Sequence, residues 1–258
     1  MDRRRLLEFA VEACTEAGEV TLEYFQKEVV VELKSDLSPV TVADRRTEEC
    51  VRDLIQKYYP SHGIVGEEFG GPKQSCEFNW FIDPIDGTLA YIHGVPIYGV
   101  MLGLEQSGEM IVGVVNFPAL REMIYAARGE GCYWNGSPAR VSNTEKLSES
   151  LLCHSGREYF KQYGRDGAYD QLEQKTALQR TWGDCYGHVL VATGRADLCV
   201  DPTLHEWDAA PLIPILQEAG GTFTDWQGRV TAFGMEGIST NGRILGPVLE
   251  VTRNYRRT

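Results

Sequence analysis

The sequence predicts a mixed α/β fold in which helices cover more than one β-sheet. Three patterns predict it: helical periodicity at the N-terminus, a strand–turn–strand meander near the middle of the chain, and short apolar runs that alternate with helical segments after residue 150. The chain has 258 residues, of which 43% are hydrophobic, so it is long enough for one large domain or two modest ones.

Two helices and two buried strands are predicted in the N-terminal region. Apolar residues over 6–25 recur every three or four positions, which indicates one face of an amphipathic helix. The same spacing predicts a second helix over about 44–59, with a polar loop at 34–39 between the two. The segments 63–66 and 78–82 are typical of short buried strands, and each runs directly into acidic residues. We therefore expect carboxylates at the ends of strands.

An antiparallel meander and an α/β layer are predicted next. Apolar runs at 98–104, 110–117 and 121–127 are separated by turns, which predicts three antiparallel strands. Further on, apolar runs alternate with helical patterns, as expected for α/β layering. These later elements are strands at 151–153, 196–200 and 221–224, and helices at 185–193 and 207–219.

A polar stretch over 137–150 that lacks a strong period marks the predicted domain boundary. It divides the chain into an N-terminal α+β half, 1–140, and a C-terminal α/β half, 141–258.

Composition excludes several classes of protein. Lys and Arg total 25 against 37 Asp and Glu, and the net charge of −12 would repel a nucleic acid. Seven scattered cysteines without a CxxC pair indicate reduced thiols. No apolar run reaches the roughly 18 residues of a membrane span, and glutamates interrupt the N-terminal segment, which argues against a signal peptide. We therefore expect a cytoplasmic protein with no membrane partner.

The most informative motif is Asp83-Pro84-Ile85-Asp86-Gly87-Thr88. Pro84 biases Asp83 away from helix and Gly87 permits a tight turn, so that both carboxylates can face one point. Asp86 could instead cap a helix that begins near Gly87. Further acids follow a strand at Glu67-Glu68 and begin a helix at Glu206 and Asp208, and each could instead be a solvated charge or a helix cap. If these acids converged, their hard oxygen ligands would suit Mg²⁺.

A family resemblance supports the convergence. Together with Glu67-Glu68, Trp207-Asp208-Ala209-Ala210-Pro211 and Glu218-Ala219-Gly220-Gly221, this motif resembles, in order and spacing, the signatures of the inositol monophosphatase family of Mg²⁺-dependent, Li⁺-sensitive phosphatases. The resemblance runs from Lys34 to the final helix. It implies a layered αβαβα sandwich of the sugar phosphatase type with the site between the two halves, and commonly a homodimer.

The resemblance also implies a set of metal ligands. Glu67, Asp83 and the backbone carbonyl of Ile85 would bind a first Mg²⁺. Asp83 would bridge to a second ion completed by Asp86 and Asp208. A third Mg²⁺ beside Glu67 would bring the number to two or three for each site.

The implied catalytic residues are Thr88, Asp44 and Glu68. Thr88, hydrogen-bonded to Asp44, would orient and deprotonate the attacking water, while backbone N–H groups of Gly87 and Thr88 would contact the phosphate. A catalytically silent relative is disfavoured, because each motif position carries the residue type that the chemistry needs.

The leaving alcohol is inferred from other segments. Residues 181–188 and 33–41 resemble the histidinol-phosphate phosphatase branch, which implies L-histidinol phosphate as substrate and a place in histidine biosynthesis. Asp184 and Asp201 suit its ammonium and imidazole groups. Alternatively, Asp184 caps a helix and Asp201 belongs to a turn. Inositol hydroxyls could also bond to both acids, so inositol 1-phosphate is the alternative substrate. Another small phosphate ester of the same family, such as a 3′(2′),5′-bisphosphate nucleotide or fructose 1,6-bisphosphate, is a further alternative.

Five further side chains receive no catalytic role. His188, His93 and Arg157 are candidates only for a ligand contact. Trp182 and Tyr186 are interpreted as packing residues rather than as an aromatic box for a cation.

Overall fold

The computed structural model describes residues 2–34, 38–71 and 73–255. In that part the chain forms eight α-helices and three sheets. The helices are α1 Arg3–Tyr24, α2 Val42–Tyr58, α3 Thr88–Ile92, α4 Arg157–Gln162, α5 Asp166–Lys175, α6 Asp184–Ala192, α7 Glu206–Glu218 and α8 Leu245–Thr252. The strands are β1 Val31–Leu33, β2 Pro39–Thr41, β3 Gly63–Gly66, β4 Phe78–Asp86, β5 Gly99–Gln106, β6 Glu109–Phe117, β7 Glu122–Ala127, β8 Gly131–Trp134, β9 Ser137–Pro138, β10 Leu151–Cys153, β11 Leu178–Arg180, β12 Leu198–Asp201, β13 Thr222–Thr224 and β14 Gly237–Thr240.

The larger sheet has seven strands in the order β3-β4-β5-β6-β7-β8-β9. β3 runs parallel to β4 and the other neighbours are antiparallel, which confirms the meander. Side chains alternate between two cores: Val112 and Val114 of β6 pack with α1 and α2, whereas Val115 packs in the core that contains α7. Because both faces are covered, the central strands are apolar over most of their length.

The approach of α7 to this sheet depends on a glycine of β6. The carbonyl oxygen of Pro211 lies 2.0 Å from the point that a Cβ atom at Gly113 would occupy. Glycine at this position therefore lets α7 lie directly against the strand. The same helix contacts β4, so its first turn, which carries Asp208, lies near the end of that strand.

The smaller sheet completes the layers. A separate two-stranded sheet pairs β1 with β2, and the five-stranded sheet has the order β11-β10-β12-β14-β13. Cys199 of β12 packs on the side of α6 and α7, while Leu198 and Val200 pack with α4, α5 and α8. Helices α6 and α7 thus lie between the two sheets, and α1 and α2 cover the outer face of the larger one. The predicted αβαβα sandwich is confirmed.

Most of the predicted elements are confirmed within a few residues, but one expectation is wrong. The strand at 78–82 does not end before the first aspartate of its motif, because β4 continues to Asp86. Helices α4, α5 and α8 were not predicted from the sequence, nor were the strands β1, β2, β8, β9, β11 and β14. Of the polar loop at 34–39, residues 35–37 lie outside the described part of the chain.

Two further expectations concern the whole chain. The proposed division between residues 140 and 141 falls between β9 and β10, and it stays a prediction about folding units. Among the described residues, every helix is too short or too polar to span a bilayer.

Candidate active site

Three aspartates meet where β4 ends and α7 begins. Carboxylate oxygens of Asp83, Asp86 and Asp208 all lie within 4.8 Å of one another. The β4–β5 register shifts between Asp83 and Asp86, next to Pro84, which has no N–H to donate to the ladder. In this irregular stretch the Ile85 N–H donates to Asp83 Oδ1 at 3.0 Å. The predicted convergence of these three acids is therefore observed.

Backbone N–H groups at two helix starts orient the cluster. The His205 N–H donates to Asp208 Oδ2 at 2.8 Å, as part of a capping box at the start of α7. The Cys185 N–H, in the first turn of α6, donates to Asp86 Oδ2 at 2.5 Å. Both carboxylates thus lie at the positive ends of helix dipoles, which favour negative charge.

The cluster carries more negative charge than its surroundings offset. Burial raises the pKa of Asp83 and of Asp86 well above the usual range, and neighbouring carboxylates raise both further. Burial, with Glu67 nearby, raises the pKa of Asp208 to about 6. Across residues 2–34, 38–71 and 73–255, no lysine or arginine forms an ion pair with these three acids. A buried cluster of hard oxygen donors without a cationic partner fits a divalent metal ion.

Glu67 and Glu68 lie next to the aspartates because β3 and β4 run parallel. Their carboxyl ends meet, and the Glu67 N–H donates to the carbonyl of Ile82 at 3.2 Å. Lys34 Nζ contacts Glu67 Oε1 at 2.7 Å and Glu68 Oε1 at 2.5 Å. Burial raises the pKa of Glu68 to about 7, although Lys34 acts to lower it. This edge of the site therefore already accommodates one positive charge.

Two residues that sequence reasoning missed hold the turn after β3. Glu48 of α2 is fully buried and accepts hydrogen bonds from the N–H groups of Glu68, at 2.7 Å, and Phe69, at 3.3 Å. Arg52 donates to Glu48 Oε1 at 2.7 Å and to the carbonyl of Gly70 at 2.5 Å. The signal was present, since Glu48 and Arg52 follow Asp44 at four-residue intervals on one face of the predicted helix.

The expected hydrogen bond between Thr88 and Asp44 is not formed in the described structure. Instead, the Thr88 hydroxyl donates to the carbonyl of Ile85 at 3.0 Å, which is the nearest acceptor one turn back along the chain. Asp44 Oδ2 accepts from the N–H and the hydroxyl of Thr41, both at 2.7 Å. Asp44 Oδ1 is buried and has no partner among the described residues. Burial raises the pKa of Asp44 to about 6.

Gly87 forms the left-handed turn from which α3 starts. Its φ of +79° lies in the region that favours glycine, and Thr88 is the first helical residue. The first N–H groups of a helix have no acceptor within it, so they can donate to an anion. A Cβ at Gly87 would lie 3.3 Å from Asp184 Oδ2.

We expect Gly87→Ala to lower kcat/KM about a hundredfold, because the added methyl displaces the turn and Asp184 by a fraction of an ångström or more. The left-handed φ adds a loss of about 1–2 kcal/mol in the free energy of unfolding. Gly129→Ala is the matched control, since Gly129 has a φ of +85° with no atom within 4 Å of its Cβ position. The control should lose stability and keep its activity in an assay of the phosphate release that the family resemblance implies. Equal activity of the two variants would contradict the importance of this turn.

Asp184 and Asp201 line a cleft of about 130 Å³ that also reaches Asp86 and Asp208. Asp184 starts α6, and burial followed by the charge of Asp201 raises its pKa to about 6. Asp201 ends β12, and its Oδ1 accepts from the N–H and hydroxyl of Ser155 at 3.2 and 2.7 Å. Both acids are thus beside the aspartate cluster, and Asp201 belongs to a strand end rather than to a simple turn.

The other sequence candidates lie elsewhere or pack. Arg157 is exposed and pairs with Asp170, and His93 is exposed at the end of α3. Tyr186 packs on Phe117 with ring centroids 5.2 Å apart, as predicted. The packing prediction is wrong for Trp182, which is 43% exposed because it lies in the loop before α6 rather than in the helix.

The architecture and the motif order both have counterparts among known proteins. The sequence model of the inositol monophosphatase family matches residues 2–254. The chain belongs to the inositol monophosphatase family. Enzymes of this family generally depend on a metal ion, in agreement with the cation-deficient cluster of aspartates.

Relatives within the inositol monophosphatase family identify the reaction class. The chain is 44% identical to a histidinol-phosphatase of Chlorobaculum parvum over 93% of both proteins. It is 33% identical to a fructose-1,6-bisphosphatase/inositol-1-monophosphatase of Thermotoga maritima, covering 97% of this chain and 96% of the relative. A solved inositol monophosphatase structure from T. maritima superposes with a TM-score of 0.88 at 31% identity, covering 97% of this chain and 98% of that one. This member of the family is a phosphoric monoester hydrolase.

Proposed function

We propose that this enzyme is a Mg²⁺-dependent histidinol-phosphatase, which hydrolyses L-histidinol phosphate to L-histidinol and phosphate. The observation that carries the proposal is the 44% identity to the C. parvum histidinol-phosphatase over 93% of both chains. The cleft supports it, because Asp184 and Asp201 offer two carboxylates beside the aspartate cluster to a substrate with an ammonium and an imidazole group.

The proposed metal ligands are four acidic side chains and one backbone carbonyl at the ends of β3 and β4 and the start of α7. Glu67, Asp83, Asp86, Asp208 and the carbonyl of Ile85 would hold two Mg²⁺ ions, with a third beside Glu67. When bound, Mg²⁺ supplies Lewis acidity that lowers the pKa of a water molecule and neutralises the charge on the leaving oxygen.

The residues of the chain would then orient the water and hold protons. In the described structure the Thr88 hydroxyl donates to the Ile85 carbonyl, and for catalysis it would have to turn towards Asp44 Oδ1, which is buried without a partner among the described residues. Thr88 would then take a proton from the attacking water as it passes its own proton to Asp44. Glu68, with its pKa raised to about 7, can exchange a proton near neutral pH.

Binding of the two ends of the substrate would use separate groups. The N–H groups of Gly87 and Thr88 at the start of α3 would donate to the phosphate. Asp184 and Asp201 would accept from the alcohol portion, which carries the positive charge. With this substrate, the enzyme would act in histidine biosynthesis. We propose a cytoplasmic location from the scattered, reduced cysteines, and a homodimer from the family resemblance.

Inositol 1-phosphate is the second candidate substrate. The 33% identity to the T. maritima fructose-1,6-bisphosphatase/inositol-1-monophosphatase favours it, and polyol hydroxyls can donate to the same two carboxylates.

Phosphate release from histidinol phosphate, inositol 1-phosphate and fructose 1,6-bisphosphate, measured in parallel, tests the proposal. We expect kcat/KM for histidinol phosphate to exceed the others by at least about a hundredfold. The neutral polyol of inositol 1-phosphate leaves the two carboxylates without a cationic partner, and the second phosphate of fructose 1,6-bisphosphate is repelled by them. EDTA should abolish the activity and Mg²⁺ restore it. A preference for either other ester would refute histidinol phosphate as the substrate. Activity in EDTA would refute the proposed dependence on Mg²⁺.

A further inference from the structure

A buried chain of hydrogen bonds runs behind Asp201, on the side away from the cleft. His188 of α6 is fully buried, and its Nε2 lies 3.0 Å from Asp201 Oδ2. Its Nδ1 lies 2.7 Å from the hydroxyl oxygen of Ser239 on β14, which is also fully buried. Three elements, α6, β12 and β14, therefore meet through one imidazole ring.

The direction of these bonds follows from the chemistry of the groups. A carboxylate only accepts, so His188 donates from Nε2 to Asp201. In the neutral ring, the proton on Nε2 leaves Nδ1 as an acceptor, and the Ser239 hydroxyl donates to it. The ring is held at both nitrogens and cannot turn without breaking two buried hydrogen bonds.

The other oxygen of Asp201 is held equally firmly. Asp201 Oδ1 accepts from the N–H and the hydroxyl of Ser155, and the oxygen of that hydroxyl accepts from the Asp184 N–H at 2.9 Å. One network therefore joins the Asp201 carboxylate and the backbone N–H of Asp184 to His188. Burying a histidine this deep in a core requires partners for both ring nitrogens, whereas an apolar residue would pack there without any. The histidine therefore points to a role in holding its partners in place.

Cys199 lies beside His188 and Asp201, so these three residues could alternatively form a metal site. Ligand atoms of His188, Cys199 and Asp201 lie within 4.8 Å of one another, as a buried Zn²⁺ site would require. However, both His188 nitrogens already have hydrogen-bond partners, and the Cys199 thiol lies 3.8 Å from Asp201 Oδ2. Burial raises the pKa of this thiol, which opposes the thiolate form that Zn²⁺ binds. The contacts therefore favour a hydrogen-bonded support over a metal centre.

We propose that His188 is a positioning residue for substrate specificity: it fixes the Asp201 carboxylate so that this group meets the alcohol portion of the substrate, not the phosphate. The proposal rests on the proposed function for the identity of that alcohol. Within the described part of the chain, the hydrogen bonds of His188 go to Ser239 and Asp201 and to none of the residues proposed to hold the metal. Its loss should therefore affect recognition of the alcohol and leave the hydrolysis of the ester bond largely unchanged.

The experiment compares two esters in each variant: histidinol phosphate, and p-nitrophenyl phosphate, which has no group for Asp201 to bind. We expect His188→Leu to raise KM for histidinol phosphate at least about tenfold, while kcat/KM for p-nitrophenyl phosphate changes less than about threefold. His188→Gln, which keeps an N–H donor, should recover part of the loss. Ser239→Ala, which leaves the ring in place, should show a smaller loss of the same kind. His93→Gln, at an exposed histidine, is the matched control.

Three results would overturn the proposal. One is an equal loss on both esters in the soluble variants, which indicates a purely structural role. Another is unchanged KM in both His188→Gln and Ser239→Ala, a result that remains informative if His188→Leu fails to fold. The third is one tightly held Zn²⁺ per chain that is lost in His188→Gln.

Failure of the proposed function gives a different result. If the unaltered enzyme prefers inositol 1-phosphate, the substrate assignment is wrong. In the same variants, the ratio of kcat/KM for the preferred ester to kcat/KM for p-nitrophenyl phosphate then tests the role of His188.

Discussion

Asp83→Asn is expected to lower kcat/KM at least about a thousandfold, equivalent to about 4 kcal/mol in the activation barrier, because it removes a carboxylate proposed to hold Mg²⁺. The metal-free variant should nevertheless be as stable as the unaltered protein or more so. Burial and the neighbouring acids raise the pKa of Asp83 well above its usual range, so its charge opposes folding in the absence of a cation. Asparagine is of equal size and can still accept the hydrogen bond from the Ile85 N–H.

Two measurements distinguish this from ordinary destabilisation. Thermal unfolding in EDTA should give an equal or higher Tm for Asp83→Asn, and the increase in Tm that Mg²⁺ produces should disappear. Asp170→Asn is the control, since that acid pairs with Arg157 at the surface and should keep both activity and the Mg²⁺ response. An Asp83→Asn enzyme with full activity, or with the usual Mg²⁺ stabilisation, would show that this cluster is not the metal site.

The free energy of unfolding of the metal-free enzyme is expected to fall by about 3 kcal/mol or more as pH rises from about 4 to about 7. Burial raises the pKa of Asp44, Asp184 and Asp208 to about 6 and that of Glu68 to about 7. In the unfolded chain these groups titrate near pH 4. Between the two ranges the folded state binds more protons than the unfolded state, so stability is highest below the unfolded pKa and is lost as pH rises through the folded values.

Denaturation at a series of pH values, in EDTA and in saturating Mg²⁺, measures this effect. Mg²⁺ should flatten or reverse the fall, because a bound cation stabilises the charged carboxylates that otherwise repel one another. Asp83→Asn in EDTA should show a shallower dependence of stability on pH than the unaltered protein, because it removes one raised carboxyl and its effect on the neighbouring acids, while carboxyls remote from the cluster cancel in the comparison. Metal-free stability that rises over this pH range by the same amount in both proteins would contradict the role of the cluster.

Hydrophobic periodicity predicted individual helices and strands, because their buried faces repeat at fixed spacings, whereas the layered αβαβα arrangement was implied by the family resemblance. The residues of α1 and α2 that face the sheet recur at helical spacing, and the meander alternates apolar runs with turns. Helices α4, α5 and α8 were missed because they span six, ten and eight residues, which is too short for a helical period to be clear.

The acidic residues of the site were predicted, but their contacts were only partly predicted. Asp83 and Asp86 stand out because each is followed by a residue with unusual backbone preferences, Pro84 and Gly87. Glu48 was missed because a glutamate on a charged helix looks like any solvated residue until the turn after β3 is seen to donate to it. The Thr88–Asp44 hydrogen bond was expected and is not formed, since the hydroxyl has a nearer acceptor in the carbonyl of Ile85.

The sequence by itself determined the layered fold, the family and the acidic motifs, because those depend on residue type and on spacing along the chain. Only the tertiary structure decided which acids share a site and what holds them. Asp208 reaches Asp83 because Gly113 lets α7 approach the sheet, and His188 reaches Asp201 because α6, β12 and β14 converge. Contacts between residues far apart in the chain depend on how elements pack, and that information is not present in any local stretch of sequence.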